Sequence, residues 1–244
     1  MMEYAHHLAE QGYAFIPGSY YKSLPDINYT RQEQFLADLE NMKLAYYGLT
    51  LDPYSPGRRF RAYAQCRRDE HQRLCFGHFT PYLQTAKYNP DTGGIIRSYP
   101  MLSDALINNP ILHALLHDDI RFIESYQKVG SPDALTIGIH FFRYQATPDM
   151  PAYSSPVWLH KDDEDVVFVH LIDHSPNMLG GDSLIAGNPK CIERVLKLES
   201  LFDTLVVNHD KYHAVTPVGC RQEGESDVST RDIILVTFQR REAA

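Results

Sequence analysis

The spacing of hydrophobic positions changes character near Gly130-Ser131-Pro132. Upstream, apolar residues recur at helical spacing. Phe35, Leu36, Leu39, Met42 and Leu44 predict a helix over Gln32–Tyr46. Asn108-Asn109-Pro110 opens a second, with Pro near the first turn and Ile111, Leu112, Leu115, Ile120 and Phe122 on its apolar face. Between them, the Arg- and aromatic-rich stretch 58–79 reads as paired strands, and Asp91-Thr92-Gly93-Gly94 as a turn. Downstream, short apolar runs predict strands over Leu135–Tyr144, Asp165–Ile172, Ser183–Ala186, Thr204–Val207 and Asp232–Phe238. Gly180-Gly181 is a turn, and Lys190–Leu201 reads as a helix among the strands.

Many short strands between turns predict an α+β, mainly β chain. Its core is a jelly roll (double-stranded β-helix, cupin-like), with N-terminal helices packed on one sheet. No linker divides the chain. It reads as one domain over 1–244, with a mainly helical support layer over 1–130 and a jelly-roll core over 131–240. At 43% hydrophobic and 22% charged, the composition excludes a disordered or coiled-coil chain. The net charge of −8 speaks against a nucleic-acid binder or a polybasic membrane clamp. Cys66, Cys75, Cys191 and Cys220 form no C-x-x-C pair, which excludes a zinc ribbon and suits reduced thiols. No signal peptide or membrane-length apolar run is visible, so a cytoplasmic location is expected.

Two H-x-D motifs raise the question of a metal. His117 and Asp119 fall in a helical pattern, where residues i and i+2 point roughly 200° apart and cannot grip one ion. They read as a solvated helix face. His160 and Asp162 stand at the entrance to a strand, where i and i+2 project to the same side. A third ligand is supplied by His213, in YHAVTPV, with His209 as a competitor behind the same strand. Two His and one carboxylate leave open positions on an octahedral ion, the arrangement of non-haem Fe(II) oxygenases. A dicarboxylate cosubstrate such as 2-oxoglutarate also needs a cation, and Arg suits it through its bidentate fork. Arg231 opens the final apolar strand and is favoured over Arg221, which sits in a turn-like polar stretch.

These residues resemble the Fe(II)/2-oxoglutarate-dependent dioxygenases. The chain is most similar to the bacterial subfamily of free L-isoleucine and L-leucine hydroxylases and BsmA-like proteins. The segments that carry the resemblance are LDPYSPGRRFRAYAQCR, YNPDTGGIIRSYP, IGIHFFRYQA, LHKDDEDVVFVHLI, MLGGDSLIAGN and YHAVTPV. The resemblance implies a jelly-roll core whose metal ligands are His160, Asp162 and His213. Arg231 is then the residue that holds the distal carboxylate of 2-oxoglutarate. His140 and Arg143 are implied as further residues of the same cavity. Arg59, Arg61 and Arg97 either meet a substrate carboxylate or brace the N-terminal layer. One departure concerns the substrate. Amino-acid hydroxylases of the subfamily tend to read T-P-E-G-x-H, where this chain has Ser155-Pro156-Val157-Trp158-Leu159-His160. The acidic residue is replaced by Val157, and Trp158 is placed to wall the cavity.

The activity implied is hydroxylation of a small molecule, such as a free L-amino acid, with Fe(II), 2-oxoglutarate and O2. The cosubstrate leaves as succinate and CO2. Two other classes compete: a non-catalytic jelly roll that binds metal or 2-oxoglutarate in a stress or biofilm role, and a zinc hydrolase with the same triad. Edge strands of such a fold can pair between subunits, so a homo-oligomer is compatible with the sequence.

Overall fold

The computed structural model describes residues 1–27, 32–55, 57–77, 81–88, 93–127, 135–222 and 227–240. The composition break at Gly130-Ser131-Pro132, the turn residues Asp91-Thr92 and the end of the 58–79 stretch lie outside the described residues. In chain order the elements are α1 (Met2–Gln11), β1 (Tyr13–Ile16), α2 (Gly18–Lys22), α3 (Gln32–Ala45), β2 (Thr50–Leu51), β3 (Arg59–Arg68) and β4 (Leu74–Phe76). Then come α4 (Asp104–Ile107), α5 (Pro110–Gln127), β5 (Leu135–Ala146), β6 (Val166–His174), β7 (Met178–Gly180), β8 (Ser183–Asn188) and β9 (Cys191–Leu196). The last four are β10 (Thr204–Asn208), β11 (Tyr212–Val215), β12 (Val218–Cys220) and β13 (Ser229–Arg240).

One antiparallel sheet runs β1-β10-β6-β13-β5-β3-β2, with β4 also on β3. Opposite lie the strips β11-β8-β9 and β12-β7. Because side chains alternate across a pleated strand, the large sheet has two different faces. Ile137, Ile139 and Phe141 of β5 and Ile234, Val236 and Phe238 of β13 face the helices. They share one core with Leu8 of α1, Met42 of α3 and Leu112 and Leu115 of α5. Phe142 and Tyr144 of β5 and Ile233 of β13 point the other way and meet Ile185 and Val218 of the small strips. Each fully buried large apolar side chain stabilises the fold by roughly 1.5–3 kcal/mol. The fold is the expected jelly roll under a helical layer, with β1 to β4 extending its main sheet from the N-terminal half.

α5 begins where the sequence predicts. Pro110 tolerates the first turn, and Asn109 Oδ1 accepts from Ile111 N–H at 2.9 Å. Two expectations need correction. The segment 190–201 is not a helix: Cys191–Leu196 is β9, a strand at the sheet edge paired with β8. Asn188 Oδ1 accepts from Lys190 N–H at 3.0 Å and turns the chain back on itself, so hairpin pairing overrides the helical pattern. Nor is the His117–Asp119 segment a solvated face, because Asp118 and Asp119 are buried. Asp119 Oδ2 lies 2.8 Å from His170 Nε2, and its Oδ1 accepts from the Tyr21 hydroxyl at 3.2 Å. His170 Nδ1 in turn lies 2.8 Å from Thr204 Oγ1, so the network ties α5 and α2 to β6 and β10. Among the described residues, no helix is long and apolar enough to cross a membrane.

Removing one member of a buried polar pair leaves the other desolvated and unpartnered. Asp119→Ala is expected to destabilise the fold by about 3 kcal/mol. The measure is the midpoint of chemical denaturation, and a midpoint within error of the parent would refute the buried pairing.

Candidate active site

His160 and His213 are brought together by backbone before any side chain acts. His160 N–H donates to the His213 carbonyl at 3.0 Å, and His213 N–H donates to the His160 carbonyl at 2.9 Å. This two-residue antiparallel bridge sets both rings on one side, with centroids 4.5 Å apart. Asp162, two residues on, points to the same side, as extended backbone requires. Its Oδ2 lies 3.1 Å from His213 Nε2 and its Oδ1 3.5 Å from His160 Nε2. One ligand atom from each residue falls within a 4.8 Å cluster, the one such cluster of ligating side chains among the described residues.

The protonation pattern suits a metal. His160 Nδ1 donates to the Trp158 carbonyl at 2.8 Å, which orients the ring and turns Nε2 toward Asp162. Burial works against the Asp162 carboxylate. The adjoining His213 and His160 outweigh it and hold its pKa well below the usual carboxylate range. Three converging donors with no apolar filler between them fit a divalent ion. His209 is elsewhere: its ring packs against Tyr88 at 5.2 Å.

The triad sits at the mouth of a cavity of about 100 Å³ between the large sheet and the small strips. Arg231 of β13 lines it and is 1% exposed. Its Nε, Nη1 and Nη2 are all buried without a hydrogen-bond partner. A desolvated guanidinium whose three nitrogens are all unpartnered calls for an anion. Gly181, at φ +72°, makes the room, since a Cβ there would lie 3.1 Å from Arg231 Cδ. Arg221, the rival for this role, is exposed and does not line the cavity.

His140 also lines the cavity, stacked on Tyr63 at 4.5 Å, with its Nδ1 accepting from Arg61 Nη2 at 2.6 Å. Arg143 does not. It stands three residues along the same strand, so the pleat sends it to the helical face. There it donates twice to Asp232, at 2.7 and 2.6 Å, and lies over the Tyr47 ring. The expectation that it lines the cavity is corrected by that alternation. Trp158 is also displaced. It is 58% exposed and lines an outer groove with Tyr88, His209 and Tyr212, so its carbonyl rather than its indole serves the site.

Arg59, Arg61 and Arg97 are all buried on the cavity wall. Arg59 is neutralised by Asp52 Oδ2, which accepts from its Nε at 3.0 Å and its Nη2 at 2.6 Å. Sequence reasoning missed Tyr82, Gln84 and Glu164, which complete the wall. Glu164 continues the i, i+2 alternation from Asp162, a signal present in HKDDED. Tyr82 and Gln84 come from a segment without periodicity. Burial and the nearby Asp162 charge push the Glu164 carboxyl up to about 7.

Comparison with known proteins places this geometry. The family model for 2OG-Fe dioxygenases matches residues 43–237, most of the chain. The chain belongs to the 2OG-Fe dioxygenase family. This dioxygenase is 62% identical to 3(1)-hydroxy-L-isoleucine 4-dioxygenase of Pantoea ananatis, over 99% of this chain and 97% of that one. It is 34% identical to L-isoleucine-4-hydroxylase of Bacillus thuringiensis, over 88% of each. Its fold superposes on the crystal structure of IDO from Bacillus thuringiensis with a TM-score of 0.80 and 30% identity, covering 99% of this chain and 95% of that one. A bsmA homolog from Methylobium petroleophilum shares the fold at a TM-score of 0.83 and 19% identity, covering 98% and 92%. The dioxygenase therefore uses Fe(II), 2-oxoglutarate and O2. The unpartnered Arg231 guanidinium and the converging triad fit both groups.

Burial, together with the Arg61, Arg59 and Arg97 charges, holds the His140 imidazole well below its ordinary pKa. The unfolded chain therefore takes up this proton first on acidification, near pH 6.5. The contribution is intact above that pH and is lost as pH falls below it. His140→Gln should flatten the acid-side fall in stability by up to about 1.4 kcal/mol per pH unit. Urea titrations at pH 7, 6 and 5 measure it, and an unchanged slope would mean that the ring is protonated in the folded protein.

Proposed function

We propose that this dioxygenase hydroxylates the side chain of a free aliphatic L-α-amino acid of the isoleucine type. His160, Asp162 and His213 hold the iron, and Arg231 holds the distal carboxylate of 2-oxoglutarate. The observation that carries the substrate class is the 62% identity, across almost the whole chain, to an enzyme named for 3(1)-hydroxy-L-isoleucine. The second relative, named for L-isoleucine, supports the same class.

Bound Fe(II) with 2-oxoglutarate supplies an O2-dependent oxidation that yields succinate and CO2 and places one oxygen atom in a C–H bond. The chain's own tasks are to bind, orient and exclude water. The Trp158 carbonyl holds the His160 ring so that Nε2 faces the ion. Asp162 supplies the anionic ligand and stays ionised beside the two imidazoles. Arg231 offers a planar fork that matches a carboxylate with two parallel hydrogen bonds. Val167, Val169, Ile233 and Leu235 make an apolar wall on the large sheet. That wall suits an aliphatic side chain and keeps bulk water from the reacting carbon.

The test is anaerobic reconstitution with Fe(II) and 2-oxoglutarate, followed by O2, with succinate and hydroxylated product quantified. L-Isoleucine, or L-isoleucine already hydroxylated on its side chain, is expected to raise succinate about tenfold or more over the amino-acid-free rate. His160→Ala should abolish it. Arg231→Gln should raise the KM for 2-oxoglutarate on the order of a hundredfold. If no aliphatic amino acid stimulates succinate in an iron-loaded protein, the substrate class is wrong.

A further inference from the structure

Resting on the amino-acid reading above, we infer that Arg61, over the Tyr82 ring, and Glu164, at its hydroxyl, form the subsite for the substrate's zwitterion. Arg61 takes the α-carboxylate and Glu164 takes the α-ammonium.

Asp52 stands beside two guanidiniums but can serve only one. Its Oδ2 is taken by Arg59 at 2.6 and 3.0 Å, and its Oδ1 accepts from Tyr54 N–H at 2.9 Å. Arg61 Nη1 is left 3.8 Å away, beyond hydrogen-bond reach. The close partner of Arg61 is the His140 Nδ1, a neutral acceptor, and its Nε is buried without any partner. Aromatic faces hold the guanidinium in place: Tyr99 at 3.6 Å, Phe142 at 4.8 Å and Tyr82 at 5.0 Å from its central carbon to the ring centroids. Stacking of this kind fixes the plane and adds affinity for a cation, but it cancels no charge. Arg61 is therefore a clamped, desolvated cation on the cavity wall.

Glu164 mirrors it. It is buried on the same wall, and its side-chain donor is the neutral Tyr82 hydroxyl at 3.2 Å. The described residues put no cation in ion-pair contact with it. A buried guanidinium and a buried carboxyl, neither hydrogen-bonded to a counter-ion, thus face one cavity, with Tyr82 in contact with both. A ligand that carries a carboxylate and an ammonium on one carbon satisfies both. The remaining cavity cation on β13, Arg231, is claimed by the cosubstrate.

The test is anaerobic calorimetry on the Fe(II)- and 2-oxoglutarate-loaded protein with four probes. These are L-isoleucine, its side-chain-hydroxylated form, L-isoleucinamide and 3-methylpentanoic acid. The amide lacks the carboxylate and the acid lacks the ammonium. The parent protein should prefer the amino acid over either analogue by on the order of a hundredfold. In Arg61→Gln the preference over the amide should collapse to about threefold, while the preference over 3-methylpentanoic acid survives. In Glu164→Gln the pattern should reverse. Arg61→Lys, which keeps the charge but not the fork, should fall between parent and Gln, and serves if the Gln variant does not fold. Parent protein that binds the amide or the acid as tightly as the amino acid overturns the subsite, as does a folded Arg61→Gln that keeps the parent ratio. Parent protein that binds neither amino acid overturns the substrate class instead, so the two failures are distinct.

Discussion

Everything in this molecule depends on the pleat of its large sheet. A strand in the middle of the sheet must bury both faces, and alternate residues go to opposite sides. On β5, Ile137, Ile139 and Phe141 meet the helices, while His140, Phe142 and Tyr144 meet the cavity. On β13 the same rule sends Ile234, Val236 and Phe238 outward to the helices and Arg231, Ile233 and Leu235 inward. The fold thus sets a site of arginines, a histidine and carboxylates directly behind an apolar core, one residue out of phase with it. A register slip by one residue would exchange the two and bury charge among the helices.

That arrangement explains why the cavity wall is so tightly partnered where it is partnered. Arg59 is cancelled by Asp52, and Arg143, on the other face, by Asp232. These pairs are finished structure. Arg231 keeps all three guanidinium nitrogens unpartnered. The side-chain hydrogen bonds of Arg61 and Glu164 go to neutral groups, His140 and Tyr82. The distinction between completed and incomplete electrostatics separates residues that hold the fold from those proposed to bind a ligand. The triad follows the same logic on a smaller scale, since two hydrogen bonds of backbone bring His160 and His213 together and set both rings beside Asp162.

Much of this was legible in the sequence, for identifiable reasons. The runs that became β5, β6, β10 and β13 are strongly apolar and bounded by turns, and α5 carries both its Asn109 cap and its Pro110 start. His160 and Asp162 were readable because i, i+2 spacing in extended chain has one outcome. Arg143 failed by the same rule that placed His140, as three residues along a strand reverses the face. Cys191–Leu196 failed because an exposed edge strand has no buried face to impose a period of two. Asp119 failed because its partner His170 lies on another element, and helical patterning cannot report a polar residue that finds its partner across the core. Tyr82 and Gln84 come from irregular chain, where position depends on tertiary packing alone.

The order of the strands has a consequence for how the chain comes to be folded. β1 pairs with β10 through Tyr13 and Val207, and β3 pairs with β5 through Arg61 and Phe142. The middle of the sheet is β13, which bridges β5 and β6. It is also the last of these strands to be synthesised. Until it emerges, β5 and β6 lack their shared neighbour and expose two open edges during translation. With pairings this distant in sequence, loop closure precedes most of the contacts that reward it, so folding belongs to the slow, non-local class. The strand that carries Arg231 is thus also the one that joins the two halves of the large sheet.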